Sequence, residues 1–291
     1  MPLDPAFIGI QLLNGLQLAS LLFLLSVGLS VVFGLMNFIN LAHGTLYMLG
    51  AFIGLSLARW TGSYWIALAL APLAVAAVGA LFHVVLLRRL QAATPMKQVL
   101  VTFGLIFIGL DSVRYIWGNH THGMAPPELF AGAVDILGQT YPAYRLLVIG
   151  LGLVVLVVLI FGLERTRLGA VVRAGVDDRE TAMALGVDVE RAFFIVFCLG
   201  CGLAGLAGVV AAPVLSVYPG MGMSVLILAL IVVVVGGPGS IGGAALGALL
   251  IGMAETFGQV LIPEFSSVVI YAVMALVLVL RPCGLVPARR R

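Results

Sequence analysis

Residues 192–254 run for 63 positions without one Asp, Glu, Lys, Arg or His. A helix that crosses a bilayer needs about 20 apolar residues, so this run is too long for one span and has room for roughly three. Pro213, Pro219-Gly220 and Gly236-Gly237-Pro238-Gly239 punctuate it. A second uncharged run covers residues 5–42. Charged residues are 9% of the 291-residue chain, against about 25% in soluble domains. That is too few to cover a globule of this size, and 62% apolar residues exclude a disordered chain. Inside lipid each backbone polar group needs an internal partner. The fold class is therefore all-α, a polytopic integral membrane protein in contact with lipid.

The apolar segments give eight or nine transmembrane segments with broken helices. The first is a long helix over residues 7–35, with Gln11, Asn14 and Gln17 as a polar stripe near its start. The N-terminal MPLDPAF has no basic n-region and the apolar run after it is too long for a cleaved leader, so it reads as a retained span. Residues 36–44 interrupt the pattern. Further spans follow over 45–58, 64–87, 98–117 and 144–163, roughly three in the long run, and the last over 267–280. If one short segment is re-entrant, the count is eight. Residues 1–291 form a single transmembrane domain. The loop over 118–142 is rich in Gly, Pro and His.

Basic residues set the sidedness. Arg88, Arg89 and Lys97 lie in one loop, five arginines lie in residues 164–191, and Arg281 with Arg289, Arg290 and Arg291 closes the chain. The positive-inside rule places these three regions in the cytoplasm. The N-terminus is then outside.

Two halves show a loose symmetry. An apolar run meets the break at 36–44 and a small-residue helix with Gly50 and Gly54. Another meets residues 236–243 and a helix with Gly247 and Gly252. Broken spans at matching positions point to a transport path, so Asn37, Asn40, His43 and Ser240 are candidate pathway residues. Gly200, Ala204 and Gly208 repeat at i, i+4, i+8, a spacing that lets helices approach closely.

Other chemistry is excluded or weak. Residues 237–242 match G-x-G-x-x-G, but both flanks are membrane-length apolar sequence, so a helix break replaces the dinucleotide reading. Cys198 and Cys201 read as small core residues, not a disulfide. His120 and His122 lack partner ligands, and no metal site is expected. No catalytic constellation appears, so the chain reads as no enzyme. A Walker A loop is also missing, so any ATP site belongs to another subunit. Asp111 and Arg114 are spaced to pair on one helix. Nothing suggests nucleic-acid binding.

Residues 164–191 hold five arginines and six acids and lie in water. Asp177 reads as an N-cap with Glu180 at N3, and Gly186 as C′, giving a helix over 178–185 about 12 Å long. A preceding helical turn over 168–174 reads as ending at Gly175. Two such short helices need a partner to be stable.

Phe33-Gly34-Leu35-Met36-Asn37-Phe38-Ile39-Asn40-Leu41-Ala42-His43-Gly44 resembles the N-terminal signature of the branched-chain amino acid ABC transporter permeases. Thr166-Arg167-Leu168-Gly169, Arg173-Ala174 and Ala182-Met183-Ala184-Leu185-Gly186 resemble that family's cytoplasmic coupling segment, and residues 236–243 its glycine-rich break. The chain resembles the shorter of the two permease subunits. The resemblance implies an importer of the bacterial inner membrane. Its partners would be ABC ATPase subunits that supply ATP and Mg, a second homologous permease and a periplasmic substrate-binding protein. No cofactor is implied in this chain. By position, Arg173, Asp178, Glu180, Ala182, Leu185 and Gly186 would form the ATPase-docking element. A urea or short-amide permease is the alternative within the class. An ion-coupled secondary transporter would need buried acids along the path, and Asp111 and Glu255 are the only ones available to it. A membrane-embedded enzyme lacks its catalytic set.

Overall fold

The computed structural model describes residues 5–36, 40–90, 94–136 and 138–286. The helices in chain order are α1 (Pro5–Met36), α2 (His43–Thr61), α3 (Tyr64–Phe82), the short α4 (Arg88–Leu90) and α5 (Pro95–Trp117). After a hairpin of β1 (Ala133–Ile136) and β2 (Gln139–Pro142) come α6 (Ala143–Leu159), α7 (Arg167–Asp177) and α8 (Arg179–Ala184). Then follow α9 (Val189–Leu215), α10 (Met221–Gly236), α11 (Ile241–Leu261) and α12 (Ser266–Leu280). Turns of π-helix continue α3 over His83–Leu87 and α6 over Ile160–Glu164. The helical class expected from the sequence holds. The two-stranded hairpin adds regular structure to a segment expected to be loop.

Among the described residues, α1, α3, α5, α6, α9 and α11 are long and apolar enough to cross a membrane. The shorter apolar α10 and α12, together with the 19-residue α2, fill the remaining apolar segments of the sequence. At 1.5 Å per residue, 16-residue α10 is about 24 Å long, short of the roughly 30 Å hydrocarbon core. Extended backbone leads into it. Val217 exchanges both of its backbone hydrogen bonds with His122, at 2.7 and 2.8 Å. Pro213, one of the residues that punctuate the long uncharged run, lies in the last turn of α9, which ends at Leu215. A proline there removes one backbone bond close to where the helix ends in any case.

α1 lies along α11 and α9, and α2 is wedged between α9, α3 and α10. One buried apolar cluster includes Leu24, Leu46, Phe52, Val75, Phe197 and Val209, and a second includes Leu22, Val27, Val232, Ala248 and Ile251. The small-residue stripe of α9 meets helices of this same chain. A side chain at Gly200 would strike Val32 and the Gly28 carbonyl of α1, and one at Gly208 would strike the backbone of α2 at Tyr47. Side chains of Leu100, Phe103, Phe107 and Ile108 on α5 are exposed, as a lipid-facing or partner-facing helix requires. Asp111 and Arg114 pair at 3.4 Å on that helix, with both side chains largely exposed. The polar start of α1 also has a partner, since Arg145 of α6 donates to Asn14 Oδ1 at 2.7 Å.

Candidate functional site

The second helix break is closed by hydrogen bonds within the protein, as irregular backbone at membrane depth demands. At the break after α10, the Gly239 N–H reaches the Ser30 carbonyl and Oγ of α1, each at 3.1 Å. The segment after α12 returns to the same place. There the Leu285 and Val286 N–H groups donate to the Val235 and Gly236 carbonyls at 2.9 and 3.0 Å. Ser240 caps α11 by accepting from the Gly243 N–H at 2.9 Å. The Gly34 Cα position abuts Gly239 with no room for a side chain, so the end of α1 and the second break are seated on each other.

At the first break, Asn37 lies outside the described residues. Asn40 is buried, and its Oδ1 accepts from the Ala42 N–H at 3.1 Å, a local turn that starts α2. It also lines a small, mostly apolar cavity with Phe82 and Leu86 of the α3 end, Thr102 of α5 and Phe197 of α9. His43 is fully buried. Its Nε2 lies 3.2 Å from the Leu25 carbonyl, which can only accept, so that nitrogen carries the proton. Nδ1 has no partner, and neither does the Tyr47 hydroxyl one turn further along the same face of α2. Asn40 and His43 are thus neighbours at the first break, while Ser240 belongs to the second. Two unmet polar atoms thus lie on one helix face, sealed from solvent.

The polar segment between α6 and α9 holds the capped helices, with corrections to the sequence reading. The N-cap is Asp178, not Asp177: Asp178 Oδ1 accepts from the Thr181 N–H at 3.0 Å. Asp177 instead ends α7, because adjacent aspartates compete for one cap and only Asp178 has the extended backbone an N-cap needs. Helix α8 therefore covers six residues, about 9 Å. Gly175, expected to end the preceding turn, lies inside α7, where it is buried and its lack of a side chain lets Val189 approach. Gly186 is C′ as expected, with φ of +82°. Its N–H donates to the Met183 carbonyl at 3.0 Å and the Val187 N–H to the Ala182 carbonyl at 3.1 Å, the paired bonds of a Schellman end.

The six residues expected to dock a partner divide by surroundings. Ala182 is 5% exposed and packs inward with Val189 and Phe193. Leu185 is 78% exposed, an apolar side chain on a polar segment with nothing over it. Arg173 and Glu180 are exposed. The Asp178 carboxylate is bound to the Thr181 hydroxyl and N–H, which hold its pKa below the ordinary value. Sequence reasoning missed the vestibule at the end of α2 and the start of α3, whose walls come from segments far apart in the chain. It also missed the buried chain in which the Tyr64 hydroxyl meets that of Tyr144, and Tyr144 donates to the Val210 carbonyl, both at 2.8 Å.

A bundle of apolar helices, broken twice at matching places and carrying a capped helix pair at one end, is a multi-pass membrane permease subunit. A family model described as the branched-chain amino acid transport system permease component matches residues 11–278. The chain belongs to that family. It is 29% identical to the high-affinity branched-chain amino acid transport system permease protein BraD of Pseudomonas aeruginosa, over 94% of both chains. It is 28% identical to the corresponding protein LivH of Escherichia coli K12, again over 94% of both. LivM of the same strain, a permease protein of the same kind of system, is 29% identical over 92% of this chain and 68% of its own.

Proposed function

We propose that this chain is one of two transmembrane subunits of an ATP-driven importer for branched-chain or related small amino acids in the bacterial inner membrane. The family match over residues 11–278 carries the reading. Similarity to both LivH and LivM supports pairing with a second, homologous permease. ATPase subunits, which supply ATP and Mg, bind at the basic end. A substrate-binding protein delivers the amino acid at the opposite end.

α7 and α8 receive the motion of the ATPase. Leu185 is the apolar anchor of the contact, and Arg173 and Glu180 are its charged rim. Asp178 and Gly186 fix the two ends of α8, and Ala182 passes the motion inward to Val189 and Phe193 at the start of α9. Because α9 crosses α1 and α2 through backbone-close glycine contacts, a shift of its lower end displaces both helices together. The break residues Asn37, Asn40, His43 and Ser240 then line the path as it opens, and the opening supplies His43 Nδ1 and the Tyr47 hydroxyl with the partners they lack when closed.

The test is uptake into proteoliposomes holding the purified complex, with binding protein on one side and ATP on the ATPase side. Leucine or isoleucine is expected to accumulate, and only with ATP. Accumulation of urea or a short amide with no amino-acid uptake would overturn the substrate assignment. Uptake driven by an ion gradient without ATP would overturn the mechanism.

A further inference from the structure

The end opposite the arginine-rich loops holds a vestibule of about 620 Å³. Its volume falls in the range of about 300–1,000 Å³ typical of small-ligand sites. One wall is the end of α2 and the turn into α3, from Leu55 through Arg59 to Trp65. The other is the segment from Gly123 to Leu129. Two charges of opposite sign line it, Arg59 and Glu128. Neither is in an ion pair among the described residues. Arg59 is held instead by a neutral group: its Nη2 lies 3.5 Å from His122 Nδ1, while His122 Nε2 lies 3.2 Å from the Trp117 carbonyl. That carbonyl can only accept, so Nε2 carries the proton and Nδ1 is the acceptor that faces the guanidinium.

The remaining walls complete the chemistry. Ser63, Tyr64 and Trp65 start the 19-residue helix α3, and no side chain caps it. Its unpaired N–H groups add partial positive charge on the side where Arg59 stands. Leu55, Met124, Trp65 and Leu129 supply apolar surface between the two charges. One cation, one anion and an apolar wall suit a molecule that carries a carboxylate, an ammonium and a hydrocarbon side chain.

We propose that this vestibule is a receiving subsite for a zwitterionic α-amino acid, in which Arg59 and the start of α3 take the carboxylate, Glu128 takes the ammonium, and the apolar wall takes the side chain. The assignment rests on the amino-acid import reading above. A site of this kind gives the substrate released by the binding protein a place to dwell before the helices re-orient. It needs to be weak, since a tight site would hold the cargo.

The experiment measures equilibrium binding of radiolabelled leucine to the purified permease–ATPase complex without its binding protein. The probes are leucine, leucinamide, which lacks the carboxylate, and 4-methylpentanoate, which lacks the ammonium. The wild-type complex is expected to bind leucine saturably and weakly. Arg59→Gln and Glu128→Gln should each weaken leucine about tenfold or more, as loss of a charged hydrogen-bond partner implies. Arg59→Gln should leave leucinamide unchanged, and Glu128→Gln should leave 4-methylpentanoate unchanged. Size-exclusion elution with the ATPase attached checks that each variant is folded, and Arg59→Lys, which keeps the charge, should lose less than Arg59→Gln. Equal leucine affinity in wild type and both variants would overturn the subsite. Wild-type uptake in the proteoliposome assay separates the two levels: transport of leucine without binding in the vestibule removes the subsite and leaves the import reading, whereas absence of amino-acid uptake removes the reading itself.

Discussion

At the scale of single residues, missing side chains decide how closely the helices approach. A Cβ at Gly50 of α2 would overlap the Cα and carbonyl of Gly205 in α9, so neither helix can yield by turning a side chain. Gly50→Val is expected to destabilise the bundle by about 1–3 kcal/mol, the usual range for overpacking. It should lower the thermal unfolding midpoint of the purified complex. Gly104 of α5 has nothing within 4 Å of its missing Cβ. Gly104→Ala should leave that midpoint unchanged or raise it slightly, since alanine favours helix by about 1 kcal/mol. A drop as large as that of Gly50→Val would show that α5 is packed where the structure leaves it open. Part of this scale was legible in the sequence. The i, i+4, i+8 stripe in α9 announced close packing, and Gly186 announced a helix end that needs positive φ. The stripe's partners were not legible, because spacing along one helix says nothing about which other helix meets it. Nor was the placement of Arg59 and Glu128 on the lining of one vestibule, since only the tertiary fold brings them to one cavity.

At the scale of elements, α8 is short and both of its ends are fixed by side-chain and backbone bonds. The Asp178 carboxylate is held below the ordinary range by the Thr181 hydroxyl and N–H. A carboxylate depressed by folding contributes its full stabilisation above its unfolded pKa, and loses it as pH falls through the folded one. Hydrogen-exchange protection of the Thr181 amide should therefore be constant from neutral pH down to the usual carboxylate range near 4. It should fall below that range, and Asp178→Ala should show weak protection at every pH. Protection in Asp178→Ala equal to wild type would mean the cap does not order the helix. The existence of this helix and its glycine end were readable from the sequence. The register of its start was not. Asp177 and Asp178 are chemically the same cap, and backbone conformation alone chose between them.

At the scale of the whole molecule, the arginine-rich segments gather at one end. The end of the helical segment that follows α3, the α7–α8 segment and the end of α12 lie there, and the vestibule lies at the other. In a background lacking Cys198, Cys201 and Cys283, a cysteine at the exposed position 185 should escape an impermeant maleimide in intact cells. One at position 128 should react. The reverse pattern would invert the molecule. Position 185 is the better probe of the basic segment, because Gly175 is buried against Val189 and Phe193. Charge placement predicts sidedness through a rule that does not depend on packing, and the break after α10 was legible because glycine and proline mark it. The extended entry to α10 was not, since its backbone is satisfied by His122 and Met48, residues distant in the chain.

The claim that energy enters this permease through α8 is tested most directly by the ratio of leucine transported to ATP hydrolysed in proteoliposomes, for wild type and Leu185→Asp. Leu185 is 78% exposed in the isolated chain, and burying it in a partner would contribute about 1.5–3 kcal/mol. The account predicts that Leu185→Asp inserts and folds normally but loses ATPase association, or keeps hydrolysis while transport per ATP falls at least about tenfold. Full association with an unchanged ratio would contradict it, and would place the coupling contact elsewhere on this chain or on its partner permease.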